Sequence, residues 1–195
     1  MLSALVLLHF FIGAVAAFLP SGVQHNVPSS KLSGWVKYFD QPYSQVTKQA
    51  DLTRGLPGGA THIMVCGIRA GSSSLMLCAA ARKADVLRRT YSPSSASGPY
   101  NGVYWYNYGG KSFGFSDSRL IKLGSADTYS GSGRLSWHID VSGNGGYRVG
   151  NTKGLYKATN YRKQLYYLGT CHPCLLVCMN MSLTKPCTQA ASSDR

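Results

Sequence analysis

Short runs in which apolar and polar residues alternate, separated by clusters of Gly, Ser and Asn, recur along most of this 195-residue chain. Side chains on a strand point to opposite faces in turn, so the pattern predicts an all-β fold, a single antiparallel β-sandwich or barrel-like domain. The predicted strands are 35–39, 61–69, 74–82, 84–90, 119–123, 134–140, 146–149 and 161–168, besides the two arms of a tyrosine-rich hairpin near residue 109. No sequence period recurs, which argues against a solenoid or propeller.

The hairpin stretch, YNGVYWYNYGGKSFGF at 100–115, is the strongest local signal. A turn centred on Gly109-Gly110 sets Tyr108 against Lys111, Tyr106 against Phe113 and Tyr104 against Phe115. That register gathers aromatic rings on one face, either as an inner wall of the fold or as a platform for stacking sugars. Taken as the inner wall, it turns Trp105 and Asn107 outward. A second hairpin turning about Ser72 sets Met64 against Ala80, Cys66 against Cys78 and Ile68 against Met76. Both of its faces are apolar, as in a central strand pair covered on two sides. Residues 74–89 also have the composition of a helix, and periodicity alone does not choose between strand and helix there.

Residues 1–17, MLSALVLLHFFIGAVAA, form an apolar run closing on small residues, as a secretory signal peptide does. Residues 18–31 read as an N-terminal leader, 32–169 as the β domain and 170–195 as a short Cys-rich tail. The mature chain is therefore expected to be secreted and extracellular, where cysteines pair. The candidates for disulfides are Cys66, Cys78, Cys171, Cys174, Cys178 and Cys187. Spacing leaves the pairings open, and only Cys66 with Cys78 has a strand register that brings the two within reach. No metal site is expected, because Cys171 and Cys174 with His172 lack the paired motif that closes a zinc site. Asn180-Met181-Ser182 is a glycosylation sequon.

Charge narrows the class of partner. Twenty Lys and Arg face seven acids, all of them Asp, and the net charge of +13 attracts anions. Arg82, Lys83, Arg88 and Arg89 form one basic cluster, and Arg148, Arg162 and Lys163, interleaved with tyrosines, form another in an interval without any acid. Inside a cell such a surplus would point to nucleic acid; behind a secretory leader it points instead to anionic glycans or acidic extracellular macromolecules. Peripheral contact with anionic membranes is a further option. The candidate binding residues are Trp105, Lys111, Arg148, Arg162 and Lys163.

Nothing in the sequence assembles a catalytic set, and no cofactor is expected. Ser136, His138 and Asp140 alternate onto one strand face, where side chains stand side by side, whereas a nucleophile, its base and an orienting acid must converge. Without Glu, a carboxylate pair for glycoside hydrolysis would have to be built from Asp. Gly34-Trp35 and the runs 101–106, 112–115, 134–138 and 145–150 together resemble a secreted β module; the resemblance implies an extracellular fold and no activity. The reading is thus a secreted, non-catalytic matrix component or binding module, with a mineralised skeletal or shell matrix as one setting. A secreted hydrolase using His138 and a defence protein or toxin acting on membranes are the alternatives.

Overall fold

The computed structural model describes residues 17–92, 94–109, 111–122, 127–141 and 146–169. Two antiparallel sheets pack face to face as a β-sandwich. The first is ordered β1 (Gln24–Pro28), β4 (Ser74–Arg82), β3 (Ala60–Arg69), β11 (Tyr161–Gly169) and β2 (Val36–Pro42). The second is ordered β10 (Thr152–Lys153), β9 (Arg148–Val149), β8 (Arg134–His138), β7 (Ser112–Ser116), β6 (Val103–Tyr108) and β5 (Ser97–Tyr100). A single helical turn, α1 (Lys83–Val86), links the two.

The β3–β4 pair lies inside the first sheet, with Met64 opposite Ala80 and Cys66 opposite Cys78 as the turn about Ser72 predicts. Ile63, Val65 and Ala79 face the inter-sheet core with Leu165 of β11, against Trp105, Phe113, Phe115, Leu135 and Trp137 of the second sheet. Met64, Cys66, Cys78 and Ala80 face the other way, under a cover that includes Phe18, Val27, Leu32 and Trp35. The Trp35 indole nitrogen donates to the Phe18 carbonyl at 2.6 Å, so the segment entering β1 is fastened to the sheet it covers. The ordered domain therefore begins before its expected start at 32: the leader at 18–31 contains β1, which pairs with β4. Cys66 and Cys78 are buried, opposed free thiols. The register for a bridge exists and the bridge is not formed in this structure. Burial, then the neighbouring Cys78, pushes the Cys66 thiol up, so neither reactivity nor metal binding is favoured there.

Several expectations are corrected. Residues 84–90 are no strand: the chain leaves β4 into α1 and a loop, so 74–89 is strand as far as Arg82 and one helical turn after it. Residues 119–122 make one isolated bridge, Leu120 with Ser95, instead of a strand. The tyrosine hairpin is shifted by one residue, with Tyr104 opposite Ser116, Trp105 opposite Phe115, Tyr106 opposite Gly114 and Tyr108 opposite Ser112. The reason is an added residue in the turn. The Lys111 N–H closes a tight turn on the Tyr108 carbonyl at 3.0 Å, and the Lys111 carbonyl then accepts from Ile139 at 3.0 Å. A one-residue slip exchanges the faces. Trp105, Phe113 and Phe115 consequently line the core, while Tyr104, Tyr106 and Tyr108 take the opposite face, where Tyr106 is fully buried with Ala96 and Ile121 and the other two are partly buried.

Candidate anion-binding cleft

Beyond the end of β4 three elements converge: α1, the β5–β6 turn and the N-terminal segment. Asn101-Gly102 makes that turn with positive φ of 53° and 74°, the conformation this dipeptide favours. The Asn101 side-chain amide donates to the Pro20 carbonyl at 2.6 Å and the Ala80 carbonyl at 2.8 Å, tying the turn to both neighbours. Asn101→Ala would leave both carbonyls without this donor and place a side chain unable to bond locally at positive φ. We expect a loss of about 2 kcal/mol in urea unfolding; an unchanged midpoint would show that the turn is not what fastens the segment.

The cleft framed by these elements, about 410 Å³, is lined by Leu19, His62, Arg82, Asp85, Tyr100 and Asn101 among others. Arg82 is exposed at the strand end, opposite His62 in the register, with no carboxylate partner among the described residues. Arg88 meets Asp85 at 3.6 Å and lays its guanidinium over the Tyr100 ring, 5.6 Å from the centroid. Partial burial, then the charge of Arg82, lowers the His62 pKa, so at neutral pH the ring is uncharged and the arginines set the sign of the cleft. Chemically the lining offers partners for an anion and for hydroxyls. A guanidinium fork matches carboxylate or sulfate oxygens; the Tyr100 face suits the apolar face of a sugar ring, and Asp85 accepts from hydroxyls.

The residues expected to bind from sequence are divided between surface and interior. Lys111 is exposed, its Nζ 5.6 Å from the Tyr108 ring centroid. Arg162 is partly exposed and committed to Asp40 at 2.5 Å. Burial alone would raise the Asp40 carboxyl, but hydrogen bonds from Lys37, Arg162 and Gln164 outweigh it and hold the group below its ordinary value. Trp105, Arg148 and Lys163 are corrections, since all three are buried. Trp105 packs on Phe115 and donates its indole N–H to the Tyr100 carbonyl at 3.3 Å. Arg148 spends its fork on backbone carbonyls, those of Gly150 (2.7 and 2.9 Å), Gly131 (2.8 Å) and Tyr129. Nearby, the fully buried Asp127 accepts from Arg134 at 2.6 Å. Lys163 donates to the Gln45 carbonyl at 2.6 Å and to Thr47 Oγ1 at 2.7 Å, beside the Tyr43 and Trp137 rings.

Ser136, His138 and Asp140 do not converge. Ser136 Oγ donates to the Gly146 carbonyl, the His138 ring stacks on Tyr147 with centroids 4.7 Å apart, and Asp140 Oδ1 accepts from the Gln49 N–H at 3.0 Å. Cys171, Cys174, Cys178, Cys187 and Asn180 lie outside the described residues. Among the described residues no three His, Cys, Asp or Glu side chains cluster as metal ligands, and no helix is long and apolar enough to cross a membrane. Of residues 74–89, whose composition also suited a helix, 74–82 is a strand inside the first sheet, between β1 and β3. Comparison of the chain with protein-family models, curated proteins and solved structures finds no significant match.

Sequence reasoning passed over Tyr100, Asn101, His62 and Asp85. The Asn-Gly pair was the available signal: it marks a hairpin turn, and a hairpin there brings Tyr100 back beside the end of β4.

Proposed function

We propose that this protein is a secreted, non-catalytic extracellular β-sandwich that binds anionic glycans or acidic macromolecules of a matrix, a mineralised skeletal or shell matrix being one such setting. The observation that carries the reading is Arg82, exposed and, among the described residues, free of a carboxylate partner, in a cleft whose aromatic wall is Tyr100. The charge of +13 supports it by drawing polyanions toward the surface from solution. The interior is occupied in a way that supports binding at the rim: Arg148 and Lys163 are consumed by carbonyls and a hydroxyl, whereas Arg82, Arg88 and Arg89 remain exposed.

Retention of the mature chain on a heparin column tests the proposal. The wild type is expected to elute well above the salt at which a neutral control leaves, and Arg82→Ser with Arg88→Ser to elute earlier, because each exposed cation removed releases fewer counterions on binding. Elution of the wild type with the neutral control removes the proposal.

A further inference from the structure

The Arg82 cleft does not end at Tyr100. That ring also lines a second open depression, walled by Arg89, Thr90, Tyr91, Ser95 and Arg119. Arg89, Thr90 and Tyr91 in turn line a third, closed off by Tyr108 and Gly109. Linked by these shared lining residues, the three follow one another as a groove beside β5 and β6, from Tyr100 to Tyr108. Thr90, buried at the junction, donates its N–H to the Asn107 carbonyl at 3.1 Å and bridges to Tyr108, so the groove floor is part of the sheet and not a loose loop. From Val103 to Tyr108 the strand advances about 17 Å.

Three tyrosines punctuate this path, and each has a cation beside it or facing the same depression. Arg88 lies over Tyr100 and Lys111 over Tyr108, both at 5.6 Å. Tyr91, 87% exposed, shares its two depressions with Arg89. The Arg89 guanidinium rests against Gly109, where a Cβ would come within 2.9 Å of Nη1, so the glycine gives the arginine its place. Between the rings the wall is hydroxyl-bearing: Ser92, Ser95 and Ser97 line the middle depression. Among the described residues Asp85 is the one carboxylate lining the three, and it already faces Arg88.

We infer that the groove is a track for a linear sulfated or carboxylated polysaccharide, which would lie along it with anionic groups on the arginines and ring faces on the tyrosines. This rests on the proposed function and extends it from one subsite to several. Hydroxyl-lined walls and separated rings match a chain of pyranose units, each with an apolar face and a rim of hydroxyls. Successive nucleic-acid bases would call for rings stacked in series.

Binding by calorimetry of size-defined heparin oligosaccharides at fixed ionic strength, disaccharide through octasaccharide, tests it. Affinity is expected to climb about tenfold or more with length before levelling off. Arg89→Ser with Lys111→Ser, at the far end, should lower octasaccharide affinity about tenfold while leaving the disaccharide unchanged. Arg82→Ser should weaken both. Equal affinity at every length overturns the track and leaves the single cleft standing. No binding at any length overturns both readings. Competition by single-stranded DNA or by phosphatidylserine vesicles as effective as that by heparin of equal charge overturns the assignment to a polysaccharide.

Discussion

Gly114→Ala is expected to destabilise the domain by about 4 kcal/mol, a large part of what holds a fold of this size together. Gly114 stands opposite Tyr106 on β6 and Ser136 on β8. The Tyr106 side chain crosses it, and the Tyr106 hydroxyl donates to the Leu135 carbonyl at 3.1 Å, on the strand beyond. A Cβ on Gly114 would run into that same carbonyl oxygen and stand 2.7 Å from the Tyr106 hydroxyl. Backbone of a central strand pair cannot move aside without breaking ladder bonds, so the strain has no cheap exit. Gly67 offers the contrast. Its Cβ would strike both Val149 methyl groups and approach Leu135 Cδ1 to 3.1 Å, side-chain atoms throughout. Val149→Ala should therefore recover much of the loss in Gly67→Ala, whereas Tyr106→Ala should recover none of the loss in Gly114→Ala. Urea unfolding of the two double-mutant cycles decides the matter; rescue of Gly114→Ala by Tyr106→Ala would place the strain in the ring instead of the strand.

The same glycine shows why the sandwich was legible in the sequence while the aromatic hairpin was placed in the wrong register. Alternation and turn residues locate strands, and the β3–β4 register follows because a turn about Ser72 leaves both faces apolar whichever way they point. In the tyrosine hairpin the register rests on how many residues the turn takes, and Gly109-Gly110 fits a two-residue loop as well as the observed longer one. A test of faces would have separated them. The observed register collects Val103, Trp105, Phe113 and Phe115 on one side and sends the tyrosine hydroxyls, serines and Gly114 to the other. Packing the rings without hydroxyls in the inter-sheet core, and giving the buried Tyr106 hydroxyl the Leu135 carbonyl as acceptor on the other side, costs less desolvation. The candidate site suffered from a related oversight. Arg162 and Lys163 are neighbours on one strand, so they cannot both face solvent; Lys163 shares its face with Leu165, which is core. Arg148 was illegible for a different reason, since its acceptors are carbonyls at 129, 131 and 150, whose convergence only the folded chain supplies. The cleft itself is assembled from β4, α1 and the N-terminal segment, and distance in sequence hides such a meeting.

Lys163 should make stability rise with pH across the neutral and mildly alkaline range. Burial pushes its pKa down to about 7, and the field of Asp51 opposes this only in part. The geometry suits the neutral amine, whose two N–H bonds meet two acceptors, the Gln45 carbonyl and Thr47 Oγ1; Thr47 Oγ1 lies 3.5 Å from Gln41 Oε1. In the unfolded chain the group titrates near its ordinary 10.5. Below pH 7 both states carry the proton and the fold bears the full burden of a buried charge. Between 7 and 10.5 the unfolded chain holds a proton that the folded one has released, so raising the pH favours folding. At about 1.4 kcal/mol per pKa unit the whole span is at most about 5 kcal/mol, of which about 2 kcal/mol falls between pH 7 and 9. Buried tyrosines such as Tyr43 and Tyr106, with pKa values raised by desolvation, act oppositely and take effect only above pH 10, so they leave that window clear. Lys163→Met removes the titrating group at a site already lined by Tyr43 and Trp137. Urea unfolding at pH 7, 8 and 9 should show the wild type gaining about 2 kcal/mol and the variant staying flat. Parallel curves for the two proteins would mean that Lys163 keeps its proton inside the fold, stabilised by the ring faces and Asp51 more than burial disfavours it.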